Sequence, residues 1–306
     1  MERDAALREI FLLGLLFFAS RLLFYWAGIR FDIGPLYYFA QFADLDLLRY
    51  DFLRTIANLH MQPPLFNLFT GIVLKVFPGS FVAVFSTIYL LIGFLVTVSL
   101  NRGLKAIGMA PFWRIGIPLF LAISPSFILT EHWFFYTWPV LGLLSAAIWA
   151  LSRIDRPRWW IFFGLLVLLV LTRSLFHLVF VLGFSALMLF KNRNSRVLWP
   201  SVVAIVIISL FYGANQARFG FFGSSSWLGM SLAKMTVWHI PPDELDSHIS
   251  EGRLSSLSAH TPFSPLEVYE CAENPGTGIP ALDRIKGNDG KPNFNNINYI
   301  DISEQL

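Results

Sequence analysis

Four aspartates, Asp32, Asp44, Asp46 and Asp51, lie between two apolar runs in a segment that closes on His60-Met61-Gln62-Pro63-Pro64-Leu65-Phe66-Asn67. A carboxylate can take up a proton, and a His at a helix start can receive an anion. Carboxylates this dense beside hydrophobic runs cost free energy unless water or a ligand meets them. They suggest a reaction at a membrane surface. Three more polar groups interrupt apolar sequence further along: Glu131-His132, Thr172-Arg173-Ser174 and His177.

The elements that must position these residues are hydrophobic helices. The 306 residues are 55% hydrophobic and 14% charged, with 31 Phe and 10 Trp. A hydrocarbon core about 30 Å thick needs roughly 20 apolar residues per helix. Seven runs approach or meet that length: Ile10 to Ile29, Ser80 to Leu100, Ile115 to Thr130, Trp133 to Leu151, Trp159 to Leu171, Ser174 to Phe190 and Val197 to Gly213. The first lacks a small-residue cleavage site before Arg30 and reads as a retained anchor. Pro64 to Val76 is apolar but short and carries Lys75, the pattern of an interfacial or re-entrant helix. Leaving it out, residues 1–9, 101–114, 152–158 and 191–196 hold 11 Lys or Arg and the short pieces on the other side hold five. Basic residues near helix ends stay cytoplasmic, so the N-terminus is expected inside and the C-terminal segment outside. The expected fold is therefore an all-α polytopic membrane protein with about seven transmembrane helices.

That topology gathers Asp32, Asp44, Asp46, Asp51, His60, Glu131, His132, Arg173 and His177 at the outer face, whereas the inner loops, with Asp155 their one acid beyond the N-terminus, hold nothing resembling a site. Within the first outer loop, 30–79, Leu45, Leu48, Phe52, Ile56 and Leu59 fall at spacings of three and four, an amphipathic helix from Asp44 to Asn58. Asp46 with Arg49, and Asp51 with Arg54, are then ion-paired neighbours on its wet face. Asp32 has no such base in register and precedes a Gly34-Pro35 turn. His60 and Gln62 stand at the start of the helix that Pro63-Pro64 opens, where an anion can be received; a structural His60 is the alternative. Glu131 and His132 either line the site or cap their span. Arg173 is either a snorkelling anchor or a cation for a lipid phosphate, which its planar fork suits. Arg21, inside the first span, is expected to face backbone carbonyls, because the spans offer it no acid.

From Ala214 the chain turns polar, with 6 basic and 11 acidic residues, a net of −5 that argues against a nucleic-acid or anionic-lipid binder. Pro241-Pro242, Pro262, Pro265 and Glu273-Asn274-Pro275-Gly276 predict short elements joined by loops. The expected division is a membrane domain, 1–213, and an extracytoplasmic segment, 214–306. Ile300 to Leu306 reads as the opening of a helix, so a longer parent chain is expected. Cys271 is the single cysteine, and no disulfide, metal cluster, P-loop, Gly-x-Gly-x-x-Gly, His-Glu-x-x-His or Gly-x-Ser-x-Gly motif is present.

One span, an acidic outer loop with an amphipathic helix, His60 to Asn67, and Ser124-Pro125 followed by Glu131 resemble the GT-C superfamily of integral membrane glycosyltransferases. The His-x-x-Pro-Pro-Leu-Phe-Asn form is similar to the protein mannosyltransferase-like and aminoarabinose transferase-like branch of the bacterial family 39 proteins. The likeness covers roughly residues 8–213 and rests on the order of features. It implies inverting transfer of a sugar from a polyprenyl-phosphate donor to a lipid, glycan or protein acceptor, at the periplasmic or outer side of a bacterial inner membrane, with no cofactor and no nucleic acid. It also implies an early loop aspartate as base. Asp32 matches best, and Asp44 stays open because the family's usual acidic pair is Asp32-Ile33 here. The family's basic residues near the outer face bind the carrier phosphate, and Arg173, His177 and His60 are candidates for that by place and chemistry; with Gln62 and Glu131 they are the expected substrate-binding residues. A transporter or flippase of lipid-linked or anionic substrates, with Arg21, Glu131 and Arg173 along its path, is the alternative from another class, and a surface-polysaccharide polymerase or ligase a third reading.

Overall fold

A computed structural model describes residues 2–152, 158–192, 195–269, 276–287 and 290–306. Cys271, Asp155, the basic residues Arg153, Arg156 and Arg193, and the Glu273-Asn274-Pro275 part of the turn signal lie outside the described residues. Sixteen α-helices run in the order α1 Glu2–Trp26, α2 Pro35–Tyr38, α3 Leu45–Tyr50, α4 Phe52–Ala57, α5 Pro64–Val76, α6 Phe81–Ala106, α7 Pro111–Ala122, α8 Pro125–Glu131, α9 Thr137–Leu151, α10 Trp159–Thr172, α11 Leu178–Asn192, α12 Ser195–Phe219, α13 Leu228–Met235, α14 Pro242–Ser250, α15 Pro280–Asp283 and α16 Asn298–Gln305 among the described residues. Two isolated bridges are the only β-pairing among those residues.

Each of the seven apolar runs is helical over most of its length, with 115–130 broken at 123–124, and the chain is a helical membrane protein. By length and composition α6 and α12 can each cross a bilayer, and α7 with α8 makes a third crossing if a pair bent by 60° counts as one. The bend has a local cause. Pro125 has no N–H to continue the helix, and the Ser124 hydroxyl instead accepts from the Phe127 amide to start a new one. Helices α9, α10 and α11 have 15, 14 and 15 residues, about 21–23 Å at 1.5 Å per residue, less than a hydrocarbon core.

The chain divides into two compact units. The first joins Met1–Leu36 to Val76–Ile208. In it α9 packs between α6 and α10, with α7 and α1 on the other side of α6. Trp138, Tyr89, Phe85 and Phe134 are buried together, with the Phe85 and Phe134 rings 4.3 Å apart. The Trp138 indole N–H donates to the Tyr89 carbonyl at 2.8 Å, which meets the donor's need in an apolar core. The start of α6 thereby meets the α8–α9 junction and the residues that follow α1. At the opposite end Arg114 pairs with Glu9, and its carbonyl accepts from the Asn101 side chain at 2.8 Å.

The second unit joins Tyr37–Lys75 to Ser209–Leu306. Residues 37–75 of the loop 30–79 thus group with the C-terminal segment. The amphipathic helix expected over 44–58 breaks at Asp51 (φ −126°, ψ 43°) into α3 and α4. Arg54 donates to the Gly278 carbonyl at 2.6 Å, so the expected Asp51–Arg54 pair does not form. Lys291 donates to the carbonyls of Phe39 and Phe42, and Arg218 to that of Ala57 at 2.6 Å. The short helix expected from Pro64 to Val76 forms with those ends.

One close approach carries a stability prediction. A Cβ on Gly229 of α13 would lie 1.6 Å from the Ser303 carbonyl oxygen of α16, and that neighbour is backbone. Gly229→Ala is expected to part α13 from α16 at a cost of about 1–3 kcal/mol. Faster proteolytic cleavage within 229–306 is the readout, and an unchanged cleavage rate contradicts the contact.

Candidate active site

Asp32 follows the end of α1 and is held by its backbone. Its amide donates to the His132 carbonyl at 2.6 Å, and the Phe134 amide donates to the Asp32 carbonyl at 2.9 Å, a parallel bridge to Trp133. The side chain is exposed. Its Oδ1 accepts from the Gly34 amide at 2.7 Å, the Asx turn that the following Gly-Pro implied, and no hydrogen bond reaches Oδ2 among the described residues. A residue held by two backbone hydrogen bonds, with its carboxylate fixed at Oδ1 and open to water at Oδ2, is placed to accept a proton.

The same connection brings in a cation. Four residues after His132, the Tyr136 ring carries the Arg173 guanidinium 5.0 Å from its centroid. Arg173 is half-buried and extended at the end of α10, where its amide donates to the Leu169 carbonyl. Stacking on Tyr136 restrains the fork without using its five N–H donors. His177, in the turn before α11, is exposed and already engaged by a neighbour. The connection 132–136 of the first unit thus meets Asp32 through His132 and Phe134 and Arg173 through Tyr136.

Glu131 enters by a different route. It is 2% exposed, and its carboxylate takes both forks of Arg21: Nε donates to Oε1 at 2.9 Å and Nη2 to Oε2 at 2.8 Å. Arg21 Nη1 also donates to Ser20 Oγ and to the Ala122 carbonyl, each at 2.9 Å. This corrects the expectation that Arg21 meets backbone carbonyls alone. The reason lies in the break after α7: the 60° bend frees the Ala122 carbonyl from its helical donor and turns the end of α8 toward α1. Gly93 makes the room, since a Cβ there would lie 2.2 Å from Glu131 Oε2. Phe17 stacks on the guanidinium at 3.9 Å. Glu131 is thus occupied internally and adjoins the connection 132–134 to which Asp32 is tied. His132 caps α8, its Nδ1 donating to the Ile128 carbonyl.

The remaining candidates, Asp44, His60 and Gln62, belong to the second unit. Asp44 is buried. Its Oδ1 accepts from the amides of Asp46 and Leu47 as the cap of α3, and its Oδ2 lies 3.4 Å from Arg284 Nη1. Gln62 is buried at the approach to α5. His60 is fully buried, with Nε2 2.9 Å from the Asn295 carbonyl and Nδ1 2.8 Å from Ser226 Oγ. A carbonyl only accepts, so Nε2 carries the proton and Nδ1 accepts from the hydroxyl. The Asn295 side chain closes the knot by accepting from the His60 amide and donating to the Asn58 carbonyl. Both ring nitrogens are spent inside the protein, leaving no ring edge for an anion. Sequence reasoning missed Ser226, Arg284 and Asn295; the run Asn293-Phe294-Asn295-Asn296, polar groups with an aromatic between them, is the signal that a buried network sits there.

Burial lowers the His60 pKa from 6.5 to about 4, against the opposing pull of backbone hydrogen bonds at Asn295 and Asn296. Between those values the unfolded chain binds a proton that the folded one refuses. Stability is full above pH 6.5 and is lost as pH falls toward 4, by about 3 kcal/mol. Acid unfolding of residues 209–306 over that window is the check, and His60→Gln is expected to remove the slope.

Among the described residues no group of three or more His, Cys, Asp or Glu is placed to hold a metal ion. No family model, curated protein or solved structure matches this chain.

Proposed function

We propose that the chain is a membrane glycosyltransferase that moves a sugar from a polyprenyl-phosphate donor to an acceptor at the extracytoplasmic face of a bacterial inner membrane. The observation that carries the reading is Asp32: a carboxylate pinned at its backbone and at Oδ1, with Oδ2 open, on the same connection 132–136 that the stacked Arg173 meets. In the reaction, Asp32 takes the proton of the acceptor hydroxyl or amine as its lone pair forms a bond to the anomeric carbon. The bond from that carbon to the phosphate oxygen breaks on the opposite face, inverting the configuration. Polyprenyl phosphate leaves with the electron pair, and Arg173 meets the charge.

A groove of about 650 Å³ between α1 and α6, lined by Phe11, Gly14, Phe18, Leu22 and Phe94, offers an isoprenoid chain an apolar seat. The seven-crossing arrangement with the N-terminus in the cytoplasm belongs to this proposal, because it puts Asp32 and Arg173 outside and the Lys- and Arg-rich pieces inside. The transport alternative puts Arg21, Glu131 and Arg173 along a path; the buried pairing of Arg21 with Glu131 supports a structural part for those two residues.

The test is the purified chain in phospholipid vesicles with a labelled polyprenyl-phosphate sugar and a membrane lipid extract as acceptor. The expected product carries the label with the opposite anomeric configuration. Retained configuration overturns the one-step mechanism. Labelled donor crossing the vesicle without transfer overturns the enzyme reading in favour of transport.

A further inference from the structure

The net charge of the 214–306 segment hides its distribution. Residues 214–242 contain Arg218 and Lys234 and no Asp or Glu, and the acids begin at Asp243, with Glu244 and Asp246 beside it in α14. The acid-free stretch holds α13, which is amphipathic in an unusual sense. Its inward face is settled: Met230 and Ala233 are buried, and the Gly229 amide donates to Ser303 Oγ of α16 at 3.0 Å. Its other face is apolar and bare. Leu228, Leu232 and Met235, at i, i+4 and i+7, are 67%, 52% and 74% exposed, and Trp238 in the turn that follows is 52% exposed. Spacing of four and three keeps the first three on one stripe.

Four large apolar side chains left in water on one short helix and the turn after it mark a surface that something covers. What covers it is indicated by chain continuity and charge. Helix α12, apolar and long enough to cross a bilayer, ends at Phe219. Eight residues separate it from Leu228, a leash of at most about 28 Å. Exposed Lys234 flanks the stripe, and Trp238 ends it with an indole suited to the headgroup level. An apolar stripe with a basic flank and a terminal Trp is the composition of a helix lying in the plane of a lipid surface.

We propose that α13 and the turn through Trp238 form an in-plane anchor that lays the C-terminal unit on an anionic lipid surface. Leu228, Leu232 and Met235 enter the acyl boundary, Lys234 meets lipid phosphate, and the acidic α14 stays in water. The inference is independent of any transferase activity.

The test uses the full chain in phosphatidylcholine bilayers with and without phosphatidylglycerol. After Cys271→Ser, a nitroxide is placed by Leu232→Cys, Met235→Cys or, as a water-side reference, Asp246→Cys. Oxygen collects in the bilayer and a charged nickel chelate stays in water, so the ratio of the two collision rates reads depth. Labels at 232 and 235 are expected about 5–10 Å below the headgroup boundary, with the label at 246 outside it. Lys234→Glu is expected to make the label at 232 shallower only where phosphatidylglycerol is present. Nickel collisions at 232 and 235 equal to those at 246 overturn the proposal. Labels shielded from both oxygen and nickel also overturn it, since they would mean a protein partner or a second copy on the stripe. All three labels replace exposed side chains, and unchanged circular dichroism confirms that the fold is retained.

Discussion

Under the proposed reaction, Asp32→Asn is expected to lower the rate of transfer by about 10²–10⁴-fold, the contribution typical of a positioned general base. The thermal unfolding midpoint is expected to stay unchanged, because the substitution leaves every tether of residue 32 in place. Both backbone hydrogen bonds to 132–134 survive, and an amide oxygen at Oδ1 still accepts from Gly34. What is lost is the basic Oδ2. Asp44→Asn separates the two aspartates that the resemblance left open. Asn caps a helix as well as Asp does, so α3 survives, and the loss is the ion pair to the partly exposed Arg284. That variant is expected to lose a little stability and no turnover. Full transfer by Asp32→Asn, or its loss in Asp44→Asn alone, overturns the assignment of Asp32 as the base.

What was legible in the sequence followed from local physics. Hydrophobic length marked the seven helical runs, Pro63-Pro64 and Lys75 marked the short α5, and Asp32-Ile33-Gly34-Pro35 marked a turn that holds a carboxylate. What was hidden needed long-range placement. Asp44 and Arg284 are 240 residues apart, and no periodicity within either segment announces their pairing. The same holds for His60 with Ser226 and Asn295, which is why a polar His before a helix read as readily as an anion site as it did a buried knot. Arg21 was legible as costly but not as paired, because its partner lies beyond a Pro break whose 60° bend no sequence rule gives. Asp51 illustrates the opposite error: the helical stripe from Leu45 to Leu59 is real, yet the chain breaks at Asp51, and Arg54 takes a carbonyl of the C-terminal segment instead of the aspartate.

The Arg21–Glu131 ion pair carries the largest stability effect expected here. Glu131→Ala leaves the Arg21 guanidinium buried with only Ser20 Oγ and the Ala122 carbonyl as partners, and stranding one member of a buried pair costs about 3–5 kcal/mol. Replacing both members by Met removes the stranded charge. The residual cost is that of the Ala122 carbonyl, which then has no donor, about 1–3 kcal/mol. The double variant is therefore expected to be more stable than the single one in unfolding measurements in mixed micelles. Equal or additive losses contradict the pairing. Gly93→Ala probes the same site from α6, since its methyl group meets Glu131 Oε2 and is expected to displace the carboxylate against the guanidinium. The consequence reaches the base: Glu131 immediately precedes His132, whose carbonyl takes the Asp32 amide. Loosening the pair is expected to speed hydrogen exchange at the Asp32 and Phe134 amides and to lower turnover with little change in donor KM, whereas in an Asp32→Asn background the same substitution has no further turnover to remove.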